Sequence, residues 1–273
     1  MSRALRCRWM VGDISGVETA SESPIAPANR DPLRFRRIVV IGGGCYGSWY
    51  AQQLTRATER GALLADAIVV VDRDPGCVVG QRLVAGAYRN APVHLEIAPW
   101  VDYLADWLDA GTAALHRDAL VPSPLMPHLC LDWLVDRARA RWPTRNVAVV
   151  PLPATPPMPW ERAAPDGRHY VSFATWMCPV NCIEPLKCPE TRTTRDWSMP
   201  PALDAFVTSQ RSAIDGSLIF HCVHRTYGVG MIDAHRISAA DDTLAACVGD
   251  APLRMLVGTV SHCHGALGLL TIT

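Results

Sequence analysis

The chain is expected to fold as an α/β protein, a doubly wound parallel sheet followed by a Cys/His-rich, strand-rich C-terminal extension. Three observations carry that expectation. The segment "RRIVVIGGGCYGSWYAQQLTRATERG" reads as a buried strand over Ile38 to Ile41, a glycine turn, and a helix that ends near Gly61. Apolar strand patterns then alternate with amphipathic helical patterns as far as residue 152. Beyond the five-proline stretch "PATPPMPWERAAPDGR", 153–168, the helical pattern weakens and cysteines and histidines cluster.

Residues 1–33 lack apolar periodicity and contain the polar, Pro-rich "SESPIAPANRDP", expected to be a loose arm. The expected organisation is therefore 1–33 flexible segment, 34–152 nucleotide-binding-type α/β domain, and 153–273 Cys/His-rich region. Within the middle unit, "AIVVVD" is a second buried strand ending at Asp72, and "VHLEI" (93–97) a third. "PWVDYLADWLDA" is an amphipathic helix opened by its proline, "PLMPHLCLDWLVDRARAR" another helix, and "NVAVVPL" (146–152) a strand. Strands that alternate with helices imply a parallel sheet covered on both faces. In the last unit "HYVSFATW", "GSLIFHCVH" and "LRMLVGTVSHCH" have strand character, and no internal repeat is visible.

Composition removes several function classes. Across 273 residues, 26 basic residues balance 26 acidic ones, so no positive surplus marks a nucleic-acid or anionic-membrane surface. Lys187 is the only lysine and no GxxxxGK[ST] loop exists, which excludes the usual phosphate-binding lysine. No apolar run reaches the roughly 18 clean residues of a membrane span, and the N-terminus has no apolar signal region. A cytoplasmic protein is expected, acting on a small-molecule substrate or redox partner, with oligomerisation open. Ten cysteines, clustered rather than spread, point in that setting to metal or redox chemistry before a disulfide framework.

Gly42, Gly44 and Gly47 form G-x-G-x-x-G between strand and helix. The first allows a tight turn, the second lets backbone approach a pyrophosphate, and the third lets helix and strand pack closely. The helix start supplies free N–H groups and partial positive charge for phosphate. With Asp72 at the end of the second strand, residues 36–152 resemble the Rossmann dinucleotide-binding superfamily. The resemblance implies NAD or NADP, ahead of FAD, with Gly42, Gly44, Gly47 and Asp72 as cofactor contacts and Arg73 placed to meet a 2′-phosphate. The interval from Gly47 to Asp72 is a few residues longer than the simplest pattern of that family. "GGGCYGSWYAQQL" followed by "VVVDRDP" is also similar to the adenylating ThiF and ubiquitin-activating fold, through Ser48, Asp72 and Asp74, although its CxxC pairs are missing.

The cysteine cluster "MCPVNCIEPLKCPETRTTRDW" has the spacing C-x3-C-x5-C over Cys178, Cys182 and Cys188. That spacing departs from zinc knuckles, which open with CxxC, and cysteines followed by proline are common at iron–sulfur clusters. A zinc ion or iron–sulfur cluster on these three thiols needs a fourth ligand. Strand parity puts Cys222 and His224 on one face, and His262 and His264 on another, with Cys263 a further candidate. A metal-free reactive thiol and cysteines buried as small hydrophobes are the competing readings. In "RTYGVGMIDAHRI", Tyr227, Asp233 and His235 are candidate acid–base groups. Arg192 and Arg195 are placed to bind a carboxylate or phosphate. His94, His116, His128 and His169 stand alone and read as structural.

Together these readings predict an NAD(P)-binding oxidoreductase-like protein with a cysteine-ligated metal or iron–sulfur site. The alternatives are an ATP-dependent adenylating enzyme with structural zinc and a non-catalytic nucleotide or redox sensor.

Overall fold

Two mixed sheets share one layer of helices. The structure, a computed structural model, describes residues 31–178 and 182–273. Most of the expected N-terminal arm lies outside the described residues.

The first sheet begins as the sequence predicts. Strand β1 (Leu33–Ile41) leads into helix α1 (Cys45–Glu59), strand β2 (Leu63–Asp72), helix α2 (Val78–Val84), strand β3 (Val93–Ile97), helix α3 (Trp100–Leu108) and strand β4 (Asp118–Val121). The four strands run parallel in the order β3-β2-β1-β4. Period-two alternation sends Ile38, Val40, Ile68 and Val70 to one face, where they pack with Ala51, Leu54 and Ala57 of α1. Val39, Ile41 and Val71 take the other face, against Leu104, Trp107 and Leu108 of α3. Each fully buried Leu, Ile or Val stabilises the fold by roughly 1.5–3 kcal/mol.

The chain then crosses to a second sheet. Helix α4 (Leu129–Arg141) is followed by strands β5 (Val147–Val150), β6 (Trp160–Ala163) and β7 (His169–Ser172), helix α5 (Met199–Ser209) and strand β8 (Gly216–His221). After β8, strands β9 (Val223–Thr226) and β10 (Val229–Asp233) return to the first sheet, where β10 pairs antiparallel with β4 and β9 lies at the edge. Helix α6 (Ala234–Cys247) and strands β11 (Leu253–Val260) and β12 (His264–Ile272) complete the chain. The second sheet runs β6-β7-β12-β11-β8, with β5 also pairing with β12.

Helices α3, α4 and α6 lie between the sheets. One apolar cluster runs from Val39 and Ile41 through Leu131, Leu134, Ile237 and Leu244 to Phe220, Val257, Leu270 and Ile272. Gly268 on β12 admits α4 closely: a Cβ there would lie 2.5 Å from a methyl of Leu131. Asp241 of α6, almost fully buried, accepts from Arg137 at 3.0 Å and from Arg141 at 2.7 Å, clamping α6 to α4. Helix α5 covers the far face of the second sheet, where Met199, Leu203 and Phe206 pack with Val171, Leu256 and Leu267.

Three departures from the sequence reading have physical reasons. The first sheet is mixed rather than wholly parallel, because β9 and β10 return to it antiparallel. β5, read as a strand of the parallel sheet, pairs antiparallel with β12 instead. Helices α5 and α6 stand where the helical pattern looked weak: α5 opens on prolines, which suit a first turn, and α6 buries small and polar residues such as Ser238 and Asp241.

His128, at the start of α4, is buried with its ring edge-on to Tyr170, centroids 5.1 Å apart. Burial, reinforced by the Arg168 guanidinium, lowers its pKa to about 4. The folded protein therefore holds a neutral imidazole that the unfolded chain protonates near pH 6.5, so stability is complete above that pH and is lost as pH falls toward 4. A His128→Phe variant keeps the ring contact and is expected to lose roughly 1–2 kcal/mol of this acid sensitivity, after allowance for solvent screening. Urea melts of both proteins at pH 7.5 and 4.5 check it; equal slopes would refute the assignment.

Candidate functional site

The glycine turn is built as its spacing requires. Gly42 has φ +86°, a conformation that disfavours any side chain. A Cβ on Gly47 would sit 1.7 Å from the Gly42 carbonyl oxygen, so only glycine lets α1 approach β1 this closely. Nothing lies within 4 Å of a Cβ placed on Gly44, which faces open space at the start of α1. The Asp72 carboxylate accepts from the Gly43 N–H at 2.6 Å and the Asp74 N–H at 3.0 Å, tying the turn to the end of β2. Each of its oxygens keeps a lone pair for a further donor. Arg73 is exposed beside it.

A second concentration of polar groups gathers where β8 leaves one sheet and β9 enters the other. Its centre is Glu184, whose side chain is 5% exposed. Its carboxylate accepts from Ser261 Oγ at 2.6 Å, the His262 N–H at 2.9 Å and the Cys263 N–H at 3.0 Å, and His224 Nδ1 stands 3.5 Å away. Burial alone would raise the pKa of Glu184, but His224, Ser261 and the backbone donors outweigh it and hold the group well below the usual carboxylate range. Glu184 also has φ +48°, a costly conformation for a residue with a side chain, and the Arg195 guanidinium donates to its carbonyl. Around it, His221 meets His262 edge-on at 4.8 Å, Ser198 Oγ lies 2.8 Å from His262 Nδ1, and Ser172 Oγ lies 3.0 Å from His264 Nδ1. Burial, with His262 adding to it, lowers the pKa of His221 to about 4. His221 Nε2 and His224 Nδ1 are buried without a hydrogen-bond partner among the described residues. The His221 imidazole is thus kept neutral beside a fixed negative charge.

The expected metal ligands are brought near one another only in part. Cys178 and Cys182 flank residues 179–181, which lie outside the described residues. Burial pushes the Cys178 thiol up, and Cys182 and then Cys188 add to the effect, so the three are electrostatic neighbours. Cys188 lies in a narrow turn in which its N–H donates to Thr193 O at 2.9 Å and its carbonyl accepts from the Arg192 N–H at 2.8 Å. Among the described residues, no three of His, Cys, Asp and Glu are arranged to hold a metal ion. Cys222 and His224 do share a face: a Cβ on Gly230 would meet Cys222 Sγ at 2.6 Å and His224 Nε2 at 3.6 Å. His262 and His264 do not follow the strand expectation, because residues 261–263 form a turn closed by Ser261 N to His264 O at 2.8 Å. Cys263 accepts from Trp197 Nε1 at 3.3 Å. Burial and then the Glu184 charge push Cys222 and Cys263 up to about 12, so neither is a poised nucleophile.

The proposed acid–base trio is spread along β10. Tyr227 and Gly228, φ +47° and +76°, form the tip of the β9–β10 hairpin, with the left-handed pair expected of a type I′ turn. Asp233 ends β10, five residues from Gly228 and roughly 16 Å away at 3.3 Å per residue, and is engaged by Nη1 and Nη2 of Arg225, each at 2.7 Å. The His235 ring lies tilted against that of His116, centroids 5.0 Å apart. Arg192 follows Cys188 in its turn, with φ +57°, while Arg195 is committed to Glu184. Glu184, His221, Ser172, Ser198 and Ser261 were missed by the sequence reading. His221 stood in the quoted "FHCVH", and Glu184 carried no local signal, since its partners lie 77 to 79 positions away.

Two outcomes are expected. Gly47→Ala should lose roughly 2–4 kcal/mol of stability through its clash with backbone, whereas Gly44→Ala should melt within about 1 kcal/mol of the parent; chemical denaturation compares them. Glu184→Gln should lose roughly 2 kcal/mol, because the amide cannot accept on both sides. A melting temperature unchanged by that substitution would show that Glu184 does not anchor the 261–263 turn.

Comparison with known proteins finds no match among curated proteins and none among solved structures. Residues 130–273 match the family model AF_1314_C, described as "Uncharacterized protein, C-terminal domain". The matched segment contains the whole Glu184 cluster and leaves the glycine turn outside it. Because it takes in more than half of the 273 residues, the chain belongs to the AF_1314_C family.

Proposed function

We propose that the protein is an NAD(P)-binding oxidoreductase-like enzyme in which the glycine turn holds the dinucleotide and the Glu184 cluster handles the proton that accompanies hydride transfer. The observation that carries this reading is the position of the two sites along one end of the first sheet. His224 pairs with Gly230, which lies two residues before the Ile232–Leu120 pair, while Val121 pairs with Val40. His224 is therefore level with the end of β1 where Gly42 begins the turn. Three strand spacings separate β1 from β9, roughly 14 Å, a span a dinucleotide can bridge. The strand order also reverses direction between β1 and β4, the place where ligands of open α/β sheets settle.

In this reading Gly44 and the N–H groups that open α1 would hold the pyrophosphate, and the remaining lone pairs of Asp72 would take the ribose hydroxyls. Arg73 stands where a 2′-phosphate would favour NADP. The cofactor would supply the hydride chemistry; His224, whose Nδ1 stands 3.5 Å from the Glu184 carboxylate, would take up the accompanying proton. Tyr227, at the hairpin tip on the same end of the sheet, is the remaining acid–base candidate from the sequence. A zinc ion or iron–sulfur cluster on Cys178, Cys182 and Cys188 is a separate proposal, supported by their close spacing in the sequence.

NADH or NADPH is expected to raise the melting temperature of the purified protein while ATP leaves it unchanged, since only a ligand of the native state stabilises it. Gly44→Trp should abolish that shift without altering the unliganded melt. A shift with ATP alone would point to an adenylating enzyme instead. Elemental analysis and an absorption spectrum of the same preparation decide the metal branch.

A further inference from the structure

We infer that the protein has a second ligand site, adjoining the Glu184 cluster through Ser172 and His264: a pocket on the open face of the second sheet that binds a planar, two-ring aromatic acid with a hydroxyl at its far end. The pocket encloses about 360 Å³ and is lined by Trp160, Arg162, Tyr170, Ser172 and His264.

Strand register makes this a built surface. Trp160 pairs with Ser172 and Ser172 with His264, giving one row across β6, β7 and β12. Two residues along, Arg162 pairs with Tyr170 and Tyr170 with Ala266, giving a second row on the same face. Helix α4 covers this face at Gly268 and stops short of His264, while α5 packs on the opposite face through Val171 and Gly265. The pocket is what remains uncovered.

Each wall has a distinct chemistry. Trp160 is 43% exposed and Tyr170 is fixed edge-on by His128, so two aromatic surfaces are available to a flat ring. Arg162 is exposed and makes no ion pair or hydrogen bond among the described residues, leaving its fork free for a carboxylate. Ser172 Oγ donates to Ala174 O at 2.8 Å and accepts from the Ala174 N–H at 2.8 Å. Its one proton being committed, the contact with His264 requires hydrogen on Nδ1, which leaves Nε2 an acceptor. The pocket thus presents a cation at one end, an acceptor at the other and aromatic surface between. From strand spacing and rise, Arg162 and His264 are roughly 12 Å apart at Cα; both side chains stand up from the same face, so a flat ligand lying between them spans about that distance, the length of two fused rings with a polar group at each end.

The probe is 6-hydroxy-2-naphthoate, titrated into the full-length protein by isothermal calorimetry, with and without NADH. Saturable binding at one site per chain is expected. Arg162→Gln should weaken it at least tenfold while leaving binding of 6-hydroxy-2-naphthamide unchanged, and Trp160→Ala should weaken both. Removing the hydroxyl, as 2-naphthoate, should weaken binding several-fold in the parent and not in His264→Phe. Both Arg162 and Trp160 are exposed, so melting curves matching the parent confirm that the variants fold. Absence of saturable binding, or binding indifferent to Arg162→Gln and Trp160→Ala, overturns the inference, and neither result bears on the glycine turn.

Discussion

Everything else in the molecule depends on the layer of α3, α4 and α6 being apolar on two sides at once. An ordinary surface helix buries one stripe and wets the other. α4 instead buries Leu129, Cys130, Leu131, Trp133, Leu134, Val135 and Ala138, residues that encircle it, and a helix of that kind is stable only between two covering layers. The first sheet supplies one cover and the second sheet the other, so neither can be removed without exposing the helix. The carboxylates admitted to the layer are paired: Asp241 takes two arginines through one oxygen, and Asp118 takes Arg36 and the Trp107 Nε1–H at 3.0 Å. Pairing of this kind is the condition on which charge enters a core.

The sandwich also explains why the polar cluster lies where it does. The chain passes from β8 in one sheet to β9 in the other through the single residue Cys222, so His221 and His224 are held by different sheets across one short crossing. Gly230 leaves room for that crossing, since any Cβ would collide with Cys222 Sγ. The loop carrying Glu184 then spans the gap and inserts a carboxylate against the 261–263 backbone. A left-handed glutamate, a buried charge and two unsatisfied imidazoles are each unfavourable alone. Their concentration in one place is supported by a rigid double-sheet frame that can carry such unfavourable groups together.

How much of this was legible in the sequence follows the range of each interaction. The glycine turn was fully legible, because a positive φ at Gly42 and a forbidden Cβ at Gly47 are local demands that spacing records. Parity placed Cys222 and His224 correctly on one face but misplaced His262 and His264, since a chain that turns after Val260 has no period of two. The sheet assignments of β5, β9 and β10 were not legible: these strands are four or five residues long, and their partners are decided by tertiary packing. Glu184 was the least legible of all. A single acid among prolines looks solvated until the fold brings Ser261 to it.

The family match and the fold divide the chain differently, and the difference bears on how the protein works. The matched segment, 130–273, begins one residue inside α4 and contains β9 and β10, whose ladder continues into β4 of the preceding segment. α4 also shares its apolar cluster with Val39 and Ile41 of β1 and Leu104 of α3. Cut at residue 130, the segment would expose that cluster and leave β10 an open edge, which pairs with whatever strand it meets. The Glu184 cluster is therefore positioned by elements outside the matched segment, and the glycine turn is borne by the same β1 that completes its support. β1, β4, β10 and β9 are consecutive in the first sheet, so the strand that bears the glycine turn and the strand that bears His224 belong to one hydrogen-bonded frame.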